Sequence, residues 1–163
     1  MIKVFVGADH GGFSLKSYLL QRSNVELKEF DFIDCGASFY DESDDYVDYV
    51  VKVVTHLHTN SYKDCFGVLI CRSGIGMSIA ANKFKSIYAA LCFSVTHAKK
   101  AREHNNANVL CLDSDYHQDN EYIFEILKTF LYTNFSFEQR HCRRIKKIVE
   151  IENKLLNTHV LGS

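Results

Sequence analysis

The chain has no proline among its 163 residues, so its turns depend on glycine, asparagine, aspartate and serine. No apolar run approaches the roughly 18 residues that suggest a membrane span, and the N-terminal apolar stretch MIKVFVGA is too short for a secretory signal. A formal net charge of −1 gives no reason to expect binding to nucleic acid or to an anionic membrane. These absences favour a cytoplasmic protein with one domain over residues 1–163.

The sequence contains six cysteines but no CxxC or CxxH pair, so we predict no metal site. Four of the six lie in or beside apolar runs such as FGVLIC and VLCL. We therefore expect buried free thiols in a reducing compartment rather than three disulfides. The six are Cys35, Cys65, Cys71, Cys92, Cys111 and Cys142.

Short apolar runs alternate with longer stretches of helical period along the chain. The apolar runs predict strands at 2–8, 25–33, 66–71, 87–92 and 108–112. The helical stretches predict helices at 12–22, 45–58, 77–84, 94–104, 120–132 and 137–157. The charges in VELKEFDFI (25–33) indicate an edge strand. The alternation predicts a Rossmann-like, three-layer α/β/α fold with a five-stranded parallel sheet and a C-terminal helix.

Polar residues and glycines flank three of the predicted strands. ADHGG (8–12) follows the first strand, CRSGIG (71–76) follows the third, and REHNN (102–106) lies just ahead of the fifth. Ligands of parallel α/β sheets bind at the carboxyl ends of the strands. We therefore expect these groups to share one rim of the sheet and to form a site.

The glycine turn SGIG (73–76), ahead of a predicted helix, suits an anion. Glycines let backbone N–H groups approach an anion, which can be a phosphate or an enediolate oxygen, and a helix N-terminus adds positive potential. A dinucleotide site is disfavoured, because the turn follows the third strand, GIGMSI lacks the third glycine of GxGxxG, and no Walker lysine pattern is present. The alternative is that Gly74 and Gly76 only turn the chain.

A thiol at the mouth of that turn experiences the same potential, which favours the thiolate. Cys71 is therefore a candidate base near neutral pH. The simpler explanation is a half-buried structural thiol. Likewise, Asp9 can merely cap a helix and His104 can merely lie on a surface loop.

Arg140 and Arg144 are four residues apart and share one helical face. Two guanidinium groups on one face can grip a phosphate dianion. The alternative is a solvated basic stretch, which is our interpretation of Arg143, Lys146 and Lys147.

Five stretches, in this order and at these spacings, resemble the ribose-5-phosphate isomerase B family, which includes galactose-6-phosphate isomerase subunits. They are GADHGGFSLK (7–16), SDDYVDY (43–49), GVLICRSGIGMSIAANK (67–83), REHNNANVL (102–110) and RHCRR (140–144). The resemblance implies interconversion of ribose 5-phosphate and ribulose 5-phosphate, in the non-oxidative pentose phosphate pathway, without metal or cofactor. It also implies a homodimer or a tetramer of dimers, with pockets built from two subunits and the helix at 136–157 packing on a partner.

The resemblance further implies a role for each candidate residue. Cys71 matches the base that moves a proton between C2 and C1 through a cis-enediol, and Asp9 would share the proton traffic on the sugar oxygens. Ser73 and the amides of the glycine turn would hold the developing oxyanion, and His104 would help to open the furanose ring. The implied substrate-binding residues are His10, Tyr46, Arg72, Gly74, Gly76, Asn105, Arg140 and Arg144.

Arg72 departs from the glycine that usually follows the catalytic cysteine in this family. A cation there can favour the thiolate, reach toward the phosphate or narrow the pocket, and its backbone must suit a non-glycine residue. Val47 stands where proline is frequent, and Asp115-Tyr116 where small residues are more usual, so the neighbouring wall can differ. Two other functions stay open: an isomerase of allose or galactose 6-phosphate, and a non-catalytic phosphosugar-binding homologue.

Overall fold

The computed structural model describes residues 1–60, 65–116 and 119–160. The strands are β1 (Ile2–Ala8), β2 (Phe30–Asp34), β3 (Cys65–Cys71), β4 (Ala89–Leu91) and β5 (Val109–Asp113). The helices are α1 (Phe13–Glu26), α2 (Tyr46–Thr59), α3 (Ile75–Ala81), α4 (Val95–Asn105), α5 (Asn120–Tyr132) and α6 (Gln139–Val160).

The five strands form one parallel sheet in the order β2-β1-β3-β5-β4. The predicted five-stranded parallel sheet is confirmed, and so is the edge position of its second strand. From β1 the chain crosses to β2 on one side and then returns to β3 on the other side. Such a reversal opens a crevice at the carboxyl ends of the two strands between which it occurs. The fold therefore directs attention to the residues after β1 and β3.

Helices cover both faces of the sheet, which confirms the three-layer prediction. Leu19 of α1 and Phe124 of α5 belong to a buried cluster with Val68 of β3. Val53 of α2 and Leu69 of β3 belong to the cluster on the other face. Neighbouring residues of β3 enter different clusters because successive side chains of a strand point to opposite faces. The central strands are thus buried from both sides.

The second predicted strand begins later than expected. Helix α1 continues through Glu26, and the N–H of Leu27 donates to the carbonyl oxygen of Ser23 at 2.8 Å. No proline or glycine interrupts the chain between the predicted helix and the strand, so nothing in the sequence ends the helix at residue 22. The strand starts only at Phe30, where the burial of the Phe30 side chain fixes it in the sheet.

Helix α6 is long and only partly covered. Its His141 side chain is buried, whereas Ile148, Val149 and Ile151 are exposed. Within the described ranges, no helix has both the length and the apolar character that a membrane crossing requires. The packing of α6 on a partner stays a prediction.

All six cysteines are free, and Cys65, Cys71, Cys92 and Cys111 are buried. The prediction of buried free thiols is therefore confirmed for four of them. Cys142 is exposed on α6.

Candidate active site

Asp9 and Cys71 lie side by side at the switch point of the sheet. Strands β1 and β3 pair in parallel with Ala8 opposite Ile70, so the next residue of each strand reaches the same level. Both side chains are buried, with 7% and 6% of their surfaces exposed. The register thus brings the two residues to the same level at the carboxyl ends of adjacent strands, as the sequence predicted.

The glycine turn places a backbone donor on the Cys71 sulfur. The N–H of Gly74 donates to Cys71 Sγ at 3.1 Å, and Gly74 has a left-handed φ of +68°. A Cβ atom on Gly74 would lie 2.5 Å from Leu91 Cδ1 and 2.9 Å from the carbonyl oxygen of Leu112. Glycine is therefore required here both by conformation and by space. A donated N–H bond stabilises negative charge on the acceptor, which is the charge of a thiolate.

Ser114 ties the loops of the crevice together, and the sequence analysis did not identify it. Its Oγ donates to the carbonyl oxygens of Gly11 at 2.9 Å and Cys71 at 3.2 Å. The Ser114 N–H also donates to the Cys71 carbonyl oxygen, at 3.1 Å. Its only signal in the sequence was its position two residues after the predicted fifth strand. Ser114 fixes the backbone on both sides of the Asp9–Cys71 pair.

The Asp9 carboxyl caps the turn that leads into α1. Its Oδ1 accepts a hydrogen bond from the N–H of Gly12 at 3.1 Å. Burial raises the pKa of Asp9, although the Gly12 hydrogen bond and the nearby His10 oppose that shift. A carboxyl that keeps its proton to a higher pH is better suited to exchange protons with sugar hydroxyls than a free one. The Asp9 side chain therefore caps the turn before α1 and is also suited to proton transfer.

His10 is held by Asp44, a second residue that the sequence analysis did not single out. Asp44 Oδ1 lies 2.7 Å from His10 Nδ1 and accepts from the His10 backbone N–H at 3.0 Å. Burial works to raise the pKa of Asp44, but hydrogen bonds from His10 and Tyr49 outweigh it and lower that pKa. An ionised Asp44 fixes the imidazole through Nδ1 and leaves Nε2 as the nitrogen that can serve a ligand.

Asp9, His10 and Asp44 form a group whose possible metal-ligand atoms all lie within 4.8 Å of one another. Hydrogen bonds within the cluster and to Gly12 already engage Asp9 Oδ1, His10 Nδ1 and Asp44 Oδ1. Each of these three atoms therefore already has a hydrogen-bond partner.

Arg72 lies at the edge of the crevice. A Cβ atom on Gly11 would lie 2.6 Å from Arg72 Cγ, so the side-chain stem crosses directly over that glycine. The guanidinium is exposed and lies 3.8 Å from the Asp115 carboxylate, and the Asp115 N–H donates to the Arg72 carbonyl oxygen. The backbone φ of Arg72 is not positive, so a residue with a side chain fits this position without backbone strain. The three expectations for Arg72 stay predictions.

Tyr46 and Ser73 complete this rim. A Cβ atom on Gly76 would lie 2.6 Å from Tyr46 Cζ, so the phenol ring packs against the glycine turn. Ser73 is exposed, and its Oγ accepts from the N–H of Ile75 at 3.3 Å. Both side chains thus stand close to the Cys71 turn, and the contact of Tyr46 with a sugar stays a prediction.

The prediction that the candidates flanking the strands share one rim is wrong for His104 and Asn105. Helix α4 runs back across the sheet and ends at Asn105, and β5 then begins at Val109, which pairs with Gly67 near the start of β3. Residues ahead of a strand lie at its amino end. The seven residues of β3 separate the two ends by roughly 20 Å.

A second group of candidates forms at the amino end of the sheet. The His104 and His141 rings lie with their centroids 4.4 Å apart, and His141 belongs to the first turn of α6 beside Arg140. Burial lowers the pKa of His141; Glu138 opposes that shift, while His104, Arg140 and Arg144 reinforce it. Asn105 lines a neighbouring cavity of about 480 Å³ together with Ile148 and Ile151 of α6 and other residues. Arg140, Arg144 and His141 thus gather around His104 at the end of α4.

Comparison with known proteins places these two groups in context. Residues 4–148 match the Ribose/Galactose Isomerase family. A "Probable ribose-5-phosphate isomerase B" from Mycoplasma genitalium is 42% identical over 151 residues, which cover 93% of this chain and 96% of that protein.

Two solved structures have the same fold. One is ribose-5-phosphate isomerase B from Mycoplasma genitalium with bound ribulose-5-phosphate, with a TM-score of 0.85 and 38% identity, covering 93% of this chain and 96% of that one. Another is the type B ribose 5-phosphate isomerase of Trypanosoma brucei, with a TM-score of 0.84 and 40% identity, covering 91% of this chain and 97% of that one.

Proposed function

The chain belongs to the ribose/galactose isomerase family, and on that premise we propose that it interconverts ribose 5-phosphate and ribulose 5-phosphate through a cis-enediolate. One observation carries the proposal. A buried thiol with a backbone N–H on its sulfur lies beside a buried carboxyl of raised pKa, at the ligand-binding end of the sheet. A base next to an oxyanion-binding turn is what proton transfer beside a carbonyl needs.

In the proposed reaction, the Cys71 thiolate takes the proton from C2 of the open-chain aldose. The electron pair of that bond forms the C1–C2 double bond, and the aldehyde oxygen becomes the enediolate oxyanion. The Ser73 hydroxyl and the amide of Gly76 serve that oxyanion, while the Gly74 amide remains on the sulfur. Asp9 relays a proton from the C2 hydroxyl to O1 as the C2 carbonyl forms. The thiol then returns its proton to C1.

The phosphate is assigned to the second group of residues, supplied by another copy of the chain. Arg140 and Arg144 lie at the amino end of a sheet whose length of roughly 20 Å exceeds that of a pentose phosphate. One chain therefore cannot bring Cys71 and these arginines to one substrate. We propose a homodimer in which the α4–α6 end of one copy, with His104, Asn105 and the arginine pair, faces the Cys71 crevice of the other. A tetramer of such dimers preserves the same sites.

The test is turnover by the purified protein. We expect ribulose 5-phosphate from ribose 5-phosphate, with a higher kcat/KM than for allose 6-phosphate or galactose 6-phosphate. Cys71→Ala should lower kcat by at least about a hundredfold, the lower end of what a positioned base contributes. A higher kcat/KM on a hexose phosphate would reassign the substrate, and binding of ribose 5-phosphate without turnover would make the protein a phosphosugar-binding module.

The cysteines support a cytoplasmic site of action for this proposed enzyme. All six are free, and four are buried among apolar side chains. Free thiols are the usual state of cysteine in a reducing compartment.

A further inference from the structure

His141 is a buried histidine for which the proposed reaction has no role. It opens α6, has 1% of its surface exposed, and contacts the side chain to which we assign ring opening. Its ring centroid lies 4.4 Å from that of His104, with 32° between the ring planes. A side chain this buried does not reach a substrate. It contacts His104 from within the protein.

Ser136 holds the His141 ring in place. Ser136 Oγ lies 2.7 Å from His141 Nδ1 and accepts from the Glu138 N–H at 3.2 Å. The Ser136 N–H donates to the Glu103 carbonyl oxygen at 3.1 Å, and Glu103 directly precedes His104. A continuous series of contacts thus runs from Glu103 of α4 through Ser136 and His141 to the His104 ring.

The charges around His141 favour a neutral ring. The charged and titratable groups that act on it are Glu138, Arg140 and Arg144 from its own segment and His104 from α4. Burial and the three basic groups lower its pKa, against the single carboxylate of Glu138. A neutral ring can stack on His104 in either protonation state of His104 without repulsion.

We propose that His141 is a positioning residue that, together with Ser136, fixes the His104 imidazole in the orientation needed to open the furanose ring. This inference rests on the proposed function, in which His104 assists that step. When the ring opens, the bond between C1 and the ring oxygen breaks. The ring oxygen gains a proton and becomes the C4 hydroxyl, while the C1 hydroxyl loses one and becomes the aldehyde. No oxidant or reductant takes part.

Two substitutions test the contributions of the His141 ring and the Ser136 hydroxyl separately. His141→Asn keeps a polar atom near Ser136 but removes the stacked ring, and Ser136→Ala removes the hydroxyl that fixes the ring. His104→Asn is the reference for loss of ring opening. Cys142→Ala, which changes the exposed neighbour of His141, is the matched control.

The initial rate of ribulose 5-phosphate formation is measured against enzyme concentration. An enzyme that opens the ring itself shows a rate proportional to its concentration throughout. A variant that can use only the free aldehyde shows a plateau at high enzyme, set by spontaneous ring opening in solution. We expect this plateau for His141→Asn, Ser136→Ala and His104→Asn, with low-enzyme rates about tenfold or more below the native rate. Cys142→Ala should behave as the native protein.

The inference would be overturned if, for both His141→Asn and Ser136→Ala, the rate stays proportional to enzyme concentration without a plateau. This holds whether the rate per enzyme equals the native value or is lower by a constant factor. If His141→Asn does not fold, Ser136→Ala alone decides in the same way. A native protein that forms no ribulose 5-phosphate is a separate result, because it refutes the proposed function itself.

Discussion

Asp9 carries an ionisable carboxyl in a buried position. Burial makes the negative charge of that carboxyl unfavourable. Burial raises the pKa of its carboxyl in the folded chain above its ordinary value of 3.8. A raised folded pKa means that the stability Asp9 contributes is fully present below its ordinary pKa and is lost as the pH rises through the raised value. At pH 7 this raised pKa therefore makes the fold less stable than it would be with an aspartate of ordinary pKa at this position.

Asp9→Asn keeps the acceptor for the Gly12 N–H but removes this charge. We expect a higher melting temperature than the native protein at pH 7, an advantage that disappears near pH 3.5, and a turnover lowered by about a hundredfold. Thermal unfolding at both pH values checks this, with the exposed Asp45→Asn as the control. A variant that melts below the native protein at pH 7 would refute the electrostatic interpretation.

Gly74 is the residue whose replacement should most directly damage the sulfur environment. In Gly74→Ala, the new methyl group would meet Leu91 and the Leu112 carbonyl oxygen, and φ of +68° is unfavourable for alanine. We expect a loss of about 1–3 kcal/mol in unfolding free energy and a fall in kcat. Ser78→Ala on the same short helix should change both far less. Full activity and unchanged stability in Gly74→Ala would contradict the requirement for glycine in the turn that carries this N–H.

Residues that directly follow a strand were predictable from the sequence, whereas their supports were not. Asp9, Cys71 and the glycine turn were identified because a strand end can be read from an apolar run. Asp44 supports His10 from 34 residues away, and Ser114 supports Gly11 from 103 residues away. No local pattern encodes contacts at such separations.

Among the helices, α4 is anchored by a buried arginine. Arg102 has 8% of its surface exposed, and its Nε donates to the Thr133 carbonyl oxygen at 3.1 Å. Its Nη1 donates to the Ala107 carbonyl oxygen and to Asn106 Oδ1. Burial lowers its pKa to about 10, so the guanidinium stays charged at neutral pH. Arg102 therefore joins the end of α4 to the segment that leads to α6.

Arg102→Met should leave these carbonyl oxygens without a donor and loosen the end of α4. We expect a loss on the order of 2–4 kcal/mol in unfolding free energy. Denaturant titration measures it, with the exposed Lys100→Met as the matched control. A loss no greater than that of the control would mean that α4 is held by its apolar face alone.

The number and type of elements followed from periodicity, but several boundaries did not, including those of α1, β2, α3 and β4. Helix α1 extends through Glu26 because no proline or glycine stops it, and β4 shortens to Ala89–Leu91. At β4 the pairing with β5 decided the boundary, and pairing depends on partners distant in the chain.

For the whole molecule, the decisive feature is the separation of two chemically specialised ends. The rule that ligands bind at the carboxyl ends of parallel strands is the basis for the proposed Cys71 crevice. It failed for His104 and Asn105 because they precede a strand instead of following one. A second copy of the chain is the proposed way to bring the two ends together, and periodicity within one sequence contains no information about that copy.

Mixed dimers test the two-ended site most directly. Cys71→Ala should inactivate the crevice, and the double variant Arg140→Ala/Arg144→Ala should inactivate the phosphate end. Each should be nearly inactive alone. Coexpressed in equal amounts, they should regain about a quarter of native activity, because half of the randomly assembled dimers hold one intact site.

The control pairs Cys71→Ala with a triple variant that carries all three substitutions, a combination that leaves no intact site. The measurement is the specific activity on ribose 5-phosphate of the coexpressed pair relative to each variant alone. Recovery near a quarter of native activity is the predicted result. Dimers that form from the two variants yet remain as inactive as either parent would contradict a site shared between two copies.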